Sequence, residues 1–222
     1  MQHLSIDIET RSSVNIAKSG AYKYAQSEDF EILMFSYKLN DLPVQLVDLK
    51  QGGIIPPYIV GLLDDENCIK HAYNAAFEWY CLNQAGYKTN ISQWRCTMFH
   101  ATYLGLPAGL SMTGNAIGIA EDKKKLTTGS RLIQYFSVPC KPTKTNGGRT
   151  WNEPHHDLDK WKLYCEYNMQ DVEAECTIYQ HLKAFEVPAK EQKLWEMDIL
   201  MNAKGVKIDK MLVESILKID AE

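Results

Sequence analysis

Along the first residues, apolar and polar side chains alternate: Leu4, Ile6 and Ile8 fall on one side, Ser5, Asp7 and Glu9 on the other. This period of two predicts a strand over 2–9. Glu31 to Leu39 and Pro43 to Leu49 repeat a strand pattern, with a turn expected at Asn40-Asp41. The three strands are expected side by side in a mixed sheet, the first reaching the second through a polar connection that contains Arg11 to Ser13. Pro56-Pro57 open a helix to about Leu63, because proline is tolerated in a first helical turn. Cys68 to Tyr73 reads as a strand, and Asn74 as the cap of a helix from Ala75 to Gln84 that ends near Gly86. From 98 to 136, Gly105, Pro107, Gly109, Gly114 and Gly118 break the pattern into short helices, one near Met112 to Ile119 and one near Thr128 to Phe136.

The longest periodic stretch is Asp157 to Ala184. Trp161, Cys165, Asn168, Val172, Cys176, Tyr179 and Leu182 recur there at steps of three and four, which predicts a helix with that stripe on the core and Tyr167 and Asp171 to one side of it. Before it, Val138 to Pro154 is rich in Pro, Lys, Gly and Asn and reads as an exposed loop, long enough to imply either function or disorder. After it, a break at Glu186-Val187-Pro188 precedes a helix to about Lys204. Gly205 ends that helix and Asp209 caps another that starts near Lys210. The last helical pattern runs to the end without a capping signal, so the chain reads as part of something longer.

Composition narrows the class. With 222 residues, 45% hydrophobic and 23% charged, the chain can bury a full core. No apolar run approaches the roughly 18 residues of a membrane span, and no signal-peptide pattern opens the chain, so a cytoplasmic protein without a membrane partner is expected. The six cysteines are scattered without zinc-type or disulfide spacing and read as small buried hydrophobes in a reducing compartment. A net charge of −4 argues against a protein that coats nucleic acid non-specifically, yet it leaves room for an enzyme that grips one strand end through metals. Two basic clusters stand out locally, Lys123 to Lys125, and Lys141, Lys144 and Arg149. Either is a solvated face or a contact for phosphates.

Chemistry enters with the carboxylates. Asp7 and Glu9 share one face of a strand, about 6 to 7 Å apart along it, and Asp and Glu are poor strand formers that need a reason to be there. Tyr167 and Asp171 are four apart on a helix and so share a face. Glu78 sits in the first turns of the helix after the Cys68 to Tyr73 strand, at a sheet end where ligands of open α/β sheets collect. Magnesium is commonly held by a few carboxylates together with substrate phosphates. Two such ions can stabilise the attacking and leaving oxygens of an in-line displacement at phosphorus.

Asp7-Ile8-Glu9, Asn74-Ala75-Ala76-Phe77-Glu78 and Tyr167-Asn168-Met169-Gln170-Asp171 resemble, in order and spacing, the three motifs of the 3′ to 5′ exonucleases with an Asp-Glu-Asp-Asp core, in their tyrosine branch. That branch includes proofreading domains of polymerase I-like (family A) DNA polymerases, and Met201 to Asp209 resembles the segment that opens the polymerase region there. The resemblance implies an α/β, RNase H-like exonuclease fold: a central mixed sheet flanked by helices over 1–185, with C-terminal helices over 186–222 beginning a polymerase region. It implies Mg²⁺ or Mn²⁺ as a pair of ions, with Asp7 bridging both, Glu9 and Asp171 completing the shell of the first ion, Glu78 holding the second ion and Tyr167 orienting the attacking water. The implied partners are a single-stranded or frayed 3′ DNA end and the polymerase region of the same longer chain, and a phage origin would place the protein in its bacterial host's cytosol. Thr10, Asn74 and Phe77 flank the motifs and are expected at the terminal nucleotide, with Lys141, Lys144 and Arg149 on the strand. One departure stands out: the second motif of the family usually ends in Asp, and here it ends in Glu78, longer by a methylene. Two other readings stay open: an RNA-trimming nuclease of the same branch, and a catalytically weak domain that positions DNA or braces a polymerase.

Overall fold

A computed structural model describes residues 2–119 and 129–221. The opening alternation forms β1 (Gln2–Arg11), the middle strand of a five-stranded sheet. Antiparallel β2 (Glu31–Leu39) and β3 (Gln45–Val47) lie on one side of it, and parallel β4 (Cys68–Ala72) and β5 (Trp94–Cys96) on the other. The sheet is mixed, as expected. Asn40 turns the β2–β3 connection with φ of 50°, a left-handed conformation that asparagine tolerates better than most residues.

Helices cover both faces. Leu4, Ile6 and Ile8 point into one core layer with Ala72, Ala75, Cys81 and Leu82. Helices α1 (Ile16–Ala25), α2 (Pro57–Asp64) and α3 (Ala75–Gln84) build that side. The other face carries α4 (Thr97–Tyr103), α5 (Leu110–Ala116) and α6 (Gly129–Phe136), all against the long α7 (Leu158–Leu182). α7 is capped by Asp157, whose carboxylate accepts from the Lys160 amide.

Several expectations need correction. The polar connection after Arg11 contains helix α1, capped by Asn15, and β5 with α4 replaces the uncommitted stretch near residue 95. Asn74 precedes α3, but its side chain makes no capping hydrogen bond. On α7 the buried face is Trp161, Tyr164, Tyr167, Asn168, Asp171, Val172, Glu175, Ile178 and Leu182. Cys165, Cys176 and Tyr179, placed on the core by the sequence pattern, are half-buried. The face is rotated because α7 covers the polar side of β1, so its innermost residues are those that answer Ser5, Asp7 and Glu9.

The loop before α7 holds to itself. The Cys140 amide donates to the Thr150 carbonyl, and Asn146 donates to the Lys141 carbonyl and accepts from the Thr143 and Gly148 amides. A ring of ion pairs ties this segment to the end of β1: Arg11 with Glu31 (2.7 Å) and Glu153 (2.9 Å), Lys50 with Glu31 (2.9 Å) and Glu153 (3.2 Å). The Arg11 guanidinium also lies 5.0 Å from the Trp151 ring.

Helix α8 (Ala189–Lys204) returns to the body: Ile199 is buried, its carbonyl accepts from the Tyr80 hydroxyl at 3.1 Å, and Trp195 stacks near Phe99. Helix α9 (Lys210–Asp220), capped by Asp209, buries no residue. All six cysteines are free, and Cys68, Cys81 and Cys96 are buried. Among the described residues no helix is long and apolar enough to cross a membrane. The Lys123 to Lys125 cluster lies outside the described residues.

Candidate metal centre between β1 and α7

The site is built from the polar side of β1 and the innermost face of α7. These elements meet head to tail: Tyr164 Oη donates to Glu9 Oε2 at 2.6 Å, Asn168 Nδ2 donates to Asp7 Oδ2 at 2.5 Å, and the Ser5 hydroxyl hydrogen-bonds to Glu175. Between the first two pairs, two strand residues advance about 6.7 Å and four helical residues about 6 Å, so Glu9 and Asp7 stay matched to Tyr164 and Asn168 along the seam. Asp171 falls between Asn168 and Glu175. Among the described residues, the carboxylates of Asp7, Glu9 and Asp171 form a group whose ligand oxygens lie within 4.8 Å of one another. Three carboxylates that close repel unless a cation joins them, and oxygen-only donors suit a hard divalent ion. The residues present therefore fit a Mg²⁺ or Mn²⁺ centre.

Backbone irregularity supports the placement. The β1–β2 register shifts between Glu9 and Thr10, and such bulges re-aim side chains next to functional sites. Glu9 remains facing α7, and the Thr10 hydroxyl instead meets Tyr24 Oη at 2.9 Å on the opposite layer.

Glu78 stands beside the group and not within it. It occupies the first turn of α3, only 4% exposed, and its Oε2 has no hydrogen-bond partner among the described residues. Burial first, and then the charges of Glu9, Glu175 and Asp171, push its pKa from 4.5 up to about 8. Glu78 therefore faces the cluster electrostatically. Glu175 repeats the condition one turn past Asp171: it is 2% exposed, accepts from Thr97 Oγ1 at 2.5 Å, and burial raises its pKa.

Tyr167 is fully buried, not marginal as the stripe implied; its ring stacks near Tyr164, with centroids 6.3 Å apart. Ser137 Oγ completes the Tyr164 hydroxyl at 2.8 Å, and burial next to Glu9 holds that phenol well above its ordinary pKa, so it remains a donor. Of the residues expected at the nucleotide, Asn74 is exposed, Phe77 is half-buried against the α3 core, and Thr10 is buried with its hydroxyl on Tyr24. Lys141 and Lys144 are exposed, and Arg149 Nε donates to Asn152 Oδ1 at 2.9 Å. The sequence pattern missed Tyr164, Asn168 as a polar partner, Glu175 and Arg11. The signal was present: polar side chains at 164, 168, 171 and 175 follow a core period.

No protein-family model matches the chain. It is similar to a nuclease solved in its apo form, with a TM-score of 0.50 and 14% identity over 91% of this chain and 83% of that one. It is also similar to the family B DNA polymerase of the hyperthermophilic archaeon Pyrobaculum calidifontis, with a TM-score of 0.51 and 14% identity, over 83% of this chain and 25% of that one. The chain has the RNase H-like exonuclease fold. In sequence it is similar to a DNA polymerase of Bacillus phage SP02, 45% identical over 223 aligned positions that take in all of this chain and 34% of that protein. The chain thus spans about a third of the length of this relative.

Proposed function

We propose that the chain is a metal-dependent 3′ to 5′ exonuclease that releases nucleoside monophosphates from a DNA end, acting as the editing part of a longer DNA polymerase. The observation that carries this reading is the convergence of Asp7, Glu9 and Asp171 within 4.8 Å, with Tyr167 one helical turn before Asp171. The similarity to a phage DNA polymerase supports the setting.

In this reading Asp7, Glu9 and Asp171 hold divalent cations, and Glu78 supplies a further carboxylate from α3. When bound, two such ions supply Lewis-acid stabilisation to the attacking and leaving oxygens. The chain's own residues do the rest. Tyr164 and Asn168 fix the orientation of Glu9 and Asp7. The Tyr167 phenol orients the attacking water. Exposed Asn74, the edge of Phe77, and Lys141, Lys144 and Arg149 meet the strand, and a frayed end reaches the site more readily than a paired one, which biases hydrolysis towards mismatches. Residues 1–185 form the exonuclease unit and 186–222 the opening of the polymerase region, whose remainder is the partner of α9. The compartment is the cytosol of a bacterial host.

The test is digestion of 3′-mismatched single strands and duplexes with Mg²⁺ or Mn²⁺, with EDTA, and with Asp7→Ala. Stepwise release of monophosphates from the 3′ end, abolished by EDTA and by the substitution, is expected. A folded wild-type chain that leaves DNA intact but trims RNA would replace the substrate assignment. Inertness towards both, unrelieved by Glu78→Asp, would leave a bracing domain.

A further inference from the structure

Helix α6 begins at Gly129, directly over the ring of Tyr167. A Cβ built at Gly129 would stand 2.0 Å from Tyr167 Cε2, 2.4 Å from Cζ and 2.7 Å from Cδ2. No side-chain carbon fits at those distances. Gly129 lies within helix α6, whose backbone any L-residue can adopt, so glycine is not required there for its conformational freedom. At a backbone conformation that both residues can adopt, alanine is preferred to glycine because it restricts the unfolded chain. The ring of Tyr167 therefore opposes a substitution that the backbone itself accepts.

The ring has little room to retreat. Tyr167 is fully buried, with Tyr164 on one side, and Tyr164 is itself fixed by Glu9 and Ser137 and stacked on Phe136 of the same helix α6. Leu132 and Phe136 belong to the core cluster that contains Tyr164 and Tyr167. One helix thus meets both tyrosines, through the Phe136 side chain at its end and through the bare backbone of Gly129 at its start.

We propose that Gly129 is a positioning residue: its missing side chain lets the backbone of α6 set where the Tyr167 phenol stands relative to Asp7, Glu9 and Asp171. It rests on the exonuclease reading for its catalytic consequence, but its structural half does not. Any side chain at 129 displaces the phenol, while the carboxylates, held from β1 and α7, stay in place.

The experiment is a double-mutant cycle on the 222-residue chain: Gly129→Ala, Tyr167→Ala and the pair, each measured for thermal unfolding, Mn²⁺ affinity, kcat and KM. Gly129→Ala is expected to lower the unfolding temperature and to reduce kcat by about tenfold or more, with KM and Mn²⁺ affinity within about twofold, because an ångström-scale displacement acts on the reacting geometry. On the Tyr167→Ala background the same change is expected to raise the unfolding temperature, the restriction of the unfolded chain now being unopposed, and to cause no further loss of kcat. A Gly129→Ala chain as stable as wild type or more so would overturn the contact. A kcat loss that persists in full without Tyr167 would overturn the positioning role. If no variant, wild type included, cleaves DNA, the exonuclease reading fails, while the reversal in unfolding temperature still decides the contact.

Discussion

Tyr164 and Glu78 show at single-residue scale how the site is held and what it costs. Tyr164→Phe removes the 2.6 Å bond to Glu9 with little change in volume and leaves Ser137 without its partner. Partners of this kind typically matter 10- to 100-fold in metal affinity or activity, and a loss of about tenfold in Mn²⁺ affinity is expected by calorimetric titration. Glu78 makes the opposite contribution in the metal-free protein. A carboxyl with a folded-state pKa of about 8 against an ordinary 4.5 holds a proton in the folded chain that it has lost when unfolded. Its contribution is complete below 4.5 and is lost as the pH rises through that window to about 8. In EDTA the unfolding temperature should therefore fall as the pH is raised across that range, and Glu78→Gln should flatten the slope. Buried Glu175, shifted in the same direction, leaves part of the slope in place. A wild-type curve that rises over this range would show Glu78 ionised at no cost.

At the scale of elements, β1 and α7 make the site, while the segment before α7 borders it. Arg11, two residues after Glu9, reaches Glu31 and Glu153 and covers Trp151, so the end of β1 and the loop carrying Lys141, Lys144 and Arg149 are one assembly. Arg11→Ala should cost about 2 kcal/mol, the size of a charge-assisted hydrogen bond partly shielded from water. Faster amide hydrogen exchange should be confined to 138–153, with Mn²⁺ affinity preserved and KM for DNA raised. Unchanged exchange there would show that Asn146 and the Cys140–Thr150 pairing hold the loop unaided. The same assembly explains why this stretch, legible only as a long polar loop, is ordered: its restraints come from residues 11, 31 and 50, more than a hundred positions away.

For the whole molecule, a divalent cation is expected to be a folding ligand as well as a chemical one. Mg²⁺ or Mn²⁺ at a hundred times its dissociation constant should stabilise the chain by about 2.7 kcal/mol, and EDTA should remove that gain, whereas Asp171→Asn should show neither response in thermal unfolding. Much of this molecule was legible from residue order. Alternation in β1, the β2–β3 pair, the proline-led α2, α3 after β4 and the cap at Asp209 follow from local physics, namely side-chain periodicity, proline's fixed φ and the need to satisfy helix-end amides. The motif residues Asp7, Glu9 and Asp171 were legible for the same reason, since each spacing lies within one element. Which face of α7 turns inward was settled only when the helix lay on β1, because covering Asp7 and Glu9 required Tyr164 and Asn168 opposite them and turned Cys165 and Cys176 towards the edge. Helix α1, Glu175 beside Thr97 and the bare backbone of Gly129 over Tyr167 belong to that second kind of information. Each depends on residues distant in the chain, and only the packed structure brings them together.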